Sequence, residues 1–368
     1  MLGTVRDRST RDHAQRLDTE SYHRHTTRTL FEVPPRIAVI GAGISGLMCA
    51  RTLSDHGVDV TVFEKSRGAG GRMATRRTKE GPQFDHGAQY FTVRDERFER
   101  YVHSWLKDGI VAPWEGRICT LENGQMEPKQ KSTPRFVGVP GMSAICRHLA
   151  ADLNICFQTL VRPPRVHEER WTLQDDHENL LGEFDAIVVS APAPQAAQLL
   201  ASAPQLARAA QATVMNGCWA AMLSFENSLD LPFDGAFVHH SPLSWVARNN
   251  SKPGRDGEDA WVLHASPQWT EENLEADPQH ALDSLSGAFW RATGREPQSP
   301  SYAAAHRWRY ALPPEVLEDR YFFDAAQALG ACGDWCSGPR VEGAFLSGMA
   351  MAGRVLSFAG YTSEGSKP

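Results

Sequence analysis

The stretch RIAVIGAGISGLMCARTLSDHGVDVTVFEKS, residues 36–66, constrains the fold more than any other part of the chain. Ile37, Val39 and Ile40 form a β-branched run between Pro35 and Gly41, the pattern of a buried parallel strand. Gly41, Gly43 and Gly46 then follow in G-x-G-x-x-G order. A helix is predicted from about Ile44 to His56, with Leu47, Cys49, Ala50 and Leu53 placed to face a sheet. Val58 to Phe63 read as a second strand that ends on Glu64, eighteen residues beyond Gly46. Each residue type has a physical task. Gly41 permits a sharp exit from the strand, Gly43 admits a pyrophosphate to the backbone, and Gly46 removes a side chain where helix and strand meet. The helix opening at Ile44 and Ser45 offers unpaired N–H groups and a partial positive charge to a phosphate. Glu64 can accept hydrogen bonds from both hydroxyls of an adenosine ribose. The unit is a dinucleotide cradle, and by itself it does not separate NAD from FAD.

The next segment makes that distinction. KSRGAGGRMATRR, Lys65 to Arg77, sets Gly68, Gly70 and Gly71 beside Arg67, Arg72, Arg76 and Arg77. A second glycine loop after the acid can wrap the other side of an extended dinucleotide. Gly70 and Gly71 let it close, Lys65 and Met73 border it, and Arg72 is positioned to neutralise the diphosphate. Such a loop favours FAD over NAD; the plain alternative is a solvated basic turn. Near the C-terminus, Leu329 to Cys332 read as a short strand ending at Gly333 and Asp334, an acid suited to the ribityl and phosphate region of a flavin. A helix follows, with Val341, Glu342, Gly343 and Ala344 in its first turn and Ser347 and Gly348 beyond. Small residues there let backbone approach a flat ring, and the helix N-terminus stabilises negative charge on it. Ile155 to Arg162 and Phe184 to Gln195 read as further strands of the same domain, with Val161 beside the adenine.

Length and composition bound the rest. With 368 residues the chain is expected to form two joined domains, and a formal net charge of -6 argues against a nucleic-acid binder. No apolar run approaches the roughly 18 residues of a membrane span. The seven cysteines are scattered, as in reduced cytoplasmic proteins, and Cys332 and Cys336 lack a second pair for a metal site. Residues 1–34 are polar and without hydrophobic period, and disorder is expected there. The predicted fold class is α/β: a Rossmann-like FAD-binding domain of residues 35–92, 140–195 and 320–360, and an α+β substrate domain of 93–139 and 196–319. The latter holds five strand candidates, GCWAAMLSFE, GAFVHH, SWVARN, AWVLHAS and YAAAHRWRYAL, and a helix over Pro278 to Ala292. They predict an antiparallel sheet. Trp245, Arg248 and His264 are candidate pocket residues on these strands, although a lone histidine on such a strand is more often hydrogen-bonded core. No residue pair has the spacing of a catalytic acid and base.

Taken together, IAVIGAGISGL, KSRGAGGRMATRR, FDHGAQYFTVRD, GVPGMSAICR, VVSAPAPQAAQLL, WVARNNSKPGR and CGDWCSGPRVEGAFLSG resemble the renalase family, within the flavin amine-oxidase superfamily. The resemblance runs from about Arg36 to Phe358 and is nearest to bacterial renalases. It implies an amine-oxidase-like fold, similar also to p-hydroxybenzoate hydroxylase, with a noncovalent FAD. It further implies oxidation of 2- and 6-dihydroNAD(P) to NAD(P)+ by hydride transfer to flavin N5, with O2 reduced to H2O2. Carried over by position, Gly41, Gly43, Gly46, Glu64, Arg72, Asp334 and Val341 to Ala344 match cofactor contacts. Gln89, Tyr90, Trp245, Arg248 and His264 fall on segments facing the ring or the substrate. The expected partners are the dihydronicotinamide nucleotide and O2, with no protein, nucleic acid or membrane. Monoamine oxidation, and a non-enzymatic flavin-binding redox sensor, remain as alternatives.

Overall fold

Arg36–Ile40 forms the middle of a six-stranded sheet, paired in parallel with Asp59–Glu64 on one side and Ala186–Val189 on the other. In the computed structural model, which describes residues 34–361 apart from 79, 80, 130–132, 316 and 318, every residue from Ile37 to Ile40 is buried. The disorder expected over 1–34 thus falls, Pro34 apart, outside the described residues. Asn154–Phe157 extends the sheet beyond Asp59–Glu64, and Leu329–Ala331 extends it beyond Ala186–Val189, both in parallel. Phe322–Asp324 closes one edge antiparallel. Chain order reverses about the first strand, which places a topological switch point, the position where such sheets bind ligands, at its C-terminal end.

The first helix, Ile44–Asp55, packs on this sheet and against the long C-terminal helix Val341–Phe358. The two helices approach so closely that a Cβ on Gly348 would overlap the Ser45 carbonyl. Leu47, Leu53, Val355 and Phe345 are buried in the shared core, each such side chain contributing roughly 1.5–3 kcal/mol. Gly348 therefore serves helix contact rather than approach to a flat ring.

The second sheet has seven strands. Its order is Tyr302–Leu312, Asn216–Phe225, Asp259–Ala265, Leu243–Arg248, Gly235–His239, Ile118–Glu122, Gln125–Pro128, all antiparallel except the pair Gly235–His239 with Ile118–Glu122. Its outer face, with Trp219, Trp261 and Leu263, closes on Leu285 and Phe289 of the helix Pro278–Thr293. Its inner face, with Trp245 and Ala247, joins the core of the cofactor domain.

The expected boundaries shift where local packing decides. Helix Glu96–Lys107 turns Phe98 and Trp105 onto Phe345, with ring centres 5.0 and 5.7 Å apart, so it joins the cofactor domain rather than the substrate domain. Helices Ala193–Leu199 and Pro204–Ala212 bury Ala196, Leu206 and Ala210 with Ile187 and Val189 of the parallel sheet. The strand expected over Ile155 to Arg162 ends at Phe157, because Gln158 takes a φ of 56° and turns the chain. A meander of Arg165–His167, Arg170–Gln174 and Leu180–Phe184 was not foreseen. Among the described residues, no helix is long and apolar enough to cross a membrane.

Candidate active site

The switch point is lined first by backbone. Gly41 has a φ of 113°, and a Cβ there would stand 2.5 Å from the Ser190 carbonyl oxygen. A Cβ on Gly46 would overlap the Gly41 carbonyl. On Gly43 it would meet nothing within 4 Å, so this glycine borders open space. The first helical bond is Leu47 N–H to the Gly43 carbonyl at 2.9 Å, and the N-cap has no side-chain partner. Ile44, Ser45 and Gly46 therefore begin the helix with N–H groups that lack intrahelical acceptors. Ser45 Oγ is also buried without a hydrogen-bond partner.

Glu64 closes this loop. Its carboxylate accepts from Ala42 N–H at 2.7 Å and from Ser66 N–H at 2.8 Å. A carboxylate offers about four lone-pair sites, so acceptor capacity remains for ribose hydroxyls. The second glycine loop lies on the first: Gly70 N–H donates to the Ala42 carbonyl at 3.0 Å, and Gly71 abuts Gly43. Met73 is buried beneath it and Lys65 is exposed at its start. Val161 lies in the core beside Phe63, and Thr159 N–H donates to the Glu64 carbonyl at 2.9 Å.

Two expected cofactor contacts meet each other instead. Arg72 forms a two-pronged pair with Asp334 at 2.6 and 2.7 Å and also donates to the Ala311 carbonyl. The guanidinium is thus charge-compensated, and it ties together segments 262 residues apart. Gly333 N–H donates to Ser347 Oγ at 2.9 Å, which gives that serine a structural task. Glu342 turns to the N–H groups of Arg94 and Asp95, at 2.7 and 2.9 Å, and so clamps the entry to helix Glu96–Lys107. The first turn of the C-terminal helix, Val341 to Ala344, keeps an N-cap without a side-chain partner.

The other half of the site is the inner face of the seven-stranded sheet, covered by the segment Phe84 to Tyr90. Trp245 pairs with His264, and His264 and His306 both pair with Ala220, so the three line up across one face. Phe84 stacks on Tyr302 at 5.4 Å. The His86 carbonyl accepts from Trp308 Nε1 at 2.9 Å and from His264 Nε2 at 3.1 Å. A carbonyl only accepts, so His264 carries its proton on Nε2. Tyr90 reaches Trp245 at 5.6 Å and Trp114 at 5.9 Å, making an aromatic wall. Ala88 N–H donates to the Arg72 carbonyl at 2.9 Å, which joins this segment to the second glycine loop.

A flavin-containing amine oxidoreductase model matches residues 113–356, and an NAD(P)-binding Rossmann-like model matches 39–105. The chain belongs to the flavin-containing amine oxidoreductases. It is therefore an FAD oxidoreductase, and the non-enzymatic alternative is set aside. The uncapped helix opening, the open space at Gly43 and the unpartnered Ser45 hydroxyl fit a dinucleotide. In sequence, the chain is 38% identical over 77 residues to a 4,4'-diapophytoene desaturase of Staphylococcus aureus (strain MRSA252) and 42% identical over 76 residues to that of Staphylococcus haemolyticus. Those matches cover 18% of this chain and 15% of each desaturase. In fold, it is similar to a putative protoporphyrinogen oxidase from Exiguobacterium sp. 255-15, with a TM-score of 0.72 at 12% identity, over 88% of this chain and 99% of the other. A wild-type putrescine oxidase bound to putrescine gives 0.63 at 13% identity over the same shares.

In this amine oxidoreductase a buried charge cluster, absent from the expectations, underlies the aromatic wall. Asp85 accepts from Arg255 Nε and Nη2 at 3.0 and 2.6 Å, and Lys252 Nζ lies 3.7 Å away. Burial pushes the Asp85 carboxyl up, but Lys252 and Arg255 outweigh it and hold the group below the usual carboxylate range. Burial draws Lys252 down to about 7 against the pull of Asp85, with Arg255 adding to the fall. Gln89 accepts from Lys252 at 3.0 Å and donates to the Asp85 carbonyl, so it braces the cluster. Burial lowers His264 and His86 to about 4, and burial also lowers His306. These imidazoles are neutral near pH 7.

Arg248 is not in this compartment. Side chains alternate along a strand, so Trp245 and Ala247 face the cofactor domain while Val246 and Arg248 face outward. Arg248 lies over Trp261 and is 3.2 Å from Asp259. The bulge between Leu243 and Trp245 sets that parity. Asp85, Lys252 and Arg255 were missed although FDHGAQYFTVRD and WVARNNSKPGR contain them. Charged residues among glycines and prolines carry no periodic signal, and only long-range contact shows that they are buried.

Proposed function

We propose that this flavoenzyme oxidises the 2- and 6-dihydro isomers of NAD(P) to NAD(P)+ with O2 as final acceptor and H2O2 as product. The supporting observation is charge: beside the aromatic wall, Asp85 faces two buried cations, Arg255 and Lys252. With Asp85 offsetting Arg255, the proton that Lys252 holds below about pH 7 is the uncompensated charge, and it opposes a primary ammonium and favours a substrate that carries a pyrophosphate. When bound, FAD supplies the two-electron acceptor and passes the electrons to oxygen. Tyr90, Trp114 and Trp245 provide flat surface for a dihydropyridine ring. Loss of hydride leaves an aromatic pyridinium and releases no proton, so the reaction needs no general base. The renalase-like segments point the same way. In anaerobic mixing, 6-dihydroNAD should bleach the flavin band at about 450 nm much faster than NADH or a primary amine. Equal or faster bleaching by the amine would replace this reading with amine oxidation.

A further inference from the structure

We propose that Arg135 and Trp245 form a corner of the substrate compartment that recognises the phosphate oxygens of an anionic substrate. Arg135 immediately precedes Phe136–Gly138, which pairs with Val111–Pro113, and its carbonyl accepts from Trp114 N–H at 2.8 Å. That backbone bond fixes Arg135 beside the aromatic wall. Its guanidinium carbon lies 5.2 Å from the centre of the Tyr90 ring. Arg135 Nε is buried and has no hydrogen-bond partner among the described residues. No ion pair among those residues involves it. Trp245 borders the same tyrosine at 5.6 Å, is only 7% exposed, and its Nε1 is likewise buried and unpaired. The neighbouring Trp114, by contrast, donates its Nε1–H to Ser251 Oγ at 3.2 Å.

Buried donors are normally satisfied, so each exception calls for an explanation, and a bound anion is one that answers for a cationic donor. Here two such donors flank one flat ring, and one of them belongs to a permanent cation. The complementary ligand has a planar ring to lie on Tyr90 and anionic oxygens to accept from Arg135 and Trp245. A pyrophosphate-linked nicotinamide nucleotide has both. The choice of nucleotide rests on the dihydronicotinamide reading; the recognition of phosphate does not.

The test is calorimetric titration of the FAD-loaded protein with NAD+ and, separately, with inorganic pyrophosphate. It compares the wild type with Arg135→Gln, Arg135→Lys and Trp245→Phe, and the flavin spectrum checks that each variant holds its cofactor. Arg135→Gln should weaken both ligands about tenfold, the worth of one charge-assisted hydrogen bond. Arg135→Lys should recover part of that loss. Trp245→Phe, which keeps an aromatic ring and removes the N–H, should weaken both about threefold. Unchanged Kd values in Arg135→Gln, or failure of the wild type to bind either ligand, would overturn the corner. Binding through Arg135 by a protein that dihydronicotinamides do not reduce would uphold the corner and remove the oxidation reading instead.

Discussion

In the cofactor cradle the working groups are main-chain: the turn at Gly41, the open approach at Gly43, the uncapped helix start and the loop crossing at Gly71. In the substrate-facing wall they are side chains, Tyr90, Trp114, Trp245, His264 and Lys252, supplied by two stretches of chain far apart in sequence and held by a buried ion cluster. The two regions fail differently. A cradle of backbone breaks when a side chain is added where none fits. A wall of side chains breaks when a charge loses its partner or a strand face is reversed.

Gly46→Val sets the extreme of that contrast. Its side chain would collide with the Gly41 carbonyl and Ser190, and the purified protein should contain almost no flavin by absorbance. A flavin-to-protein ratio near one would show that the cradle tolerates bulk. Next comes Asp85→Ala, which leaves Arg255 and Lys252 buried together without a counter-charge. Loss of one partner from a buried cluster costs about 3–5 kcal/mol, so the denaturation midpoint should fall sharply. If urea melts of variant and wild type coincide, the cluster is not the prop described.

The acid limb of the stability curve is a subtler probe of the wall. The His264 and His86 imidazoles have folded values near 4 against an ordinary 6.5. As pH falls through 6.5 the unfolded chain takes up these protons first, so stability is lost progressively down to about 4 and levels off below. Each histidine accounts for a loss on the order of 3 kcal/mol. His264→Gln should flatten this limb relative to the wild type, and an identical pH profile would refute a buried neutral imidazole at that position. Arg248→Met should do least to the site. It should leave the rate of anaerobic flavin reduction within about twofold while lowering stability by about 1 kcal/mol. A large fall in that rate with stability intact would put Arg248 back in the compartment.

Much of this could be read from the linear chain, but unevenly. The helix predicted over Ile44 to His56 is observed as Ile44–Asp55, and that over Pro278 to Ala292 as Pro278–Thr293. The five predicted strands of the second sheet all form. These elements carry strong local signals: glycine spacing, proline at a helix start, β-branched or aromatic alternation. Helix Glu96–Lys107 lies in the stretch 93–139 expected for the substrate domain, and an amphipathic stripe does not say which partner it meets. Arg248 is expected beside Trp245, yet odd spacing along a strand sends the two to opposite faces. Arg72 and Asp334, each expected at the cofactor, have each other as first partner.

By itself, then, the sequence determined the cradle. A G-x-G-x-x-G turn between strand and helix is a local backbone object, and contiguous residues carry nearly all of its information. Tertiary structure alone decided the wall: which face of a strand looks inward, that Asp85 neutralises Arg255 beside a depressed Lys252, and that Arg135 and Trp245 border one tyrosine with their donors unspent. Burial and pairing are properties of long-range contact, and a charged or aromatic side chain looks the same in a linear chain whether it ends in water, in a core or in a site.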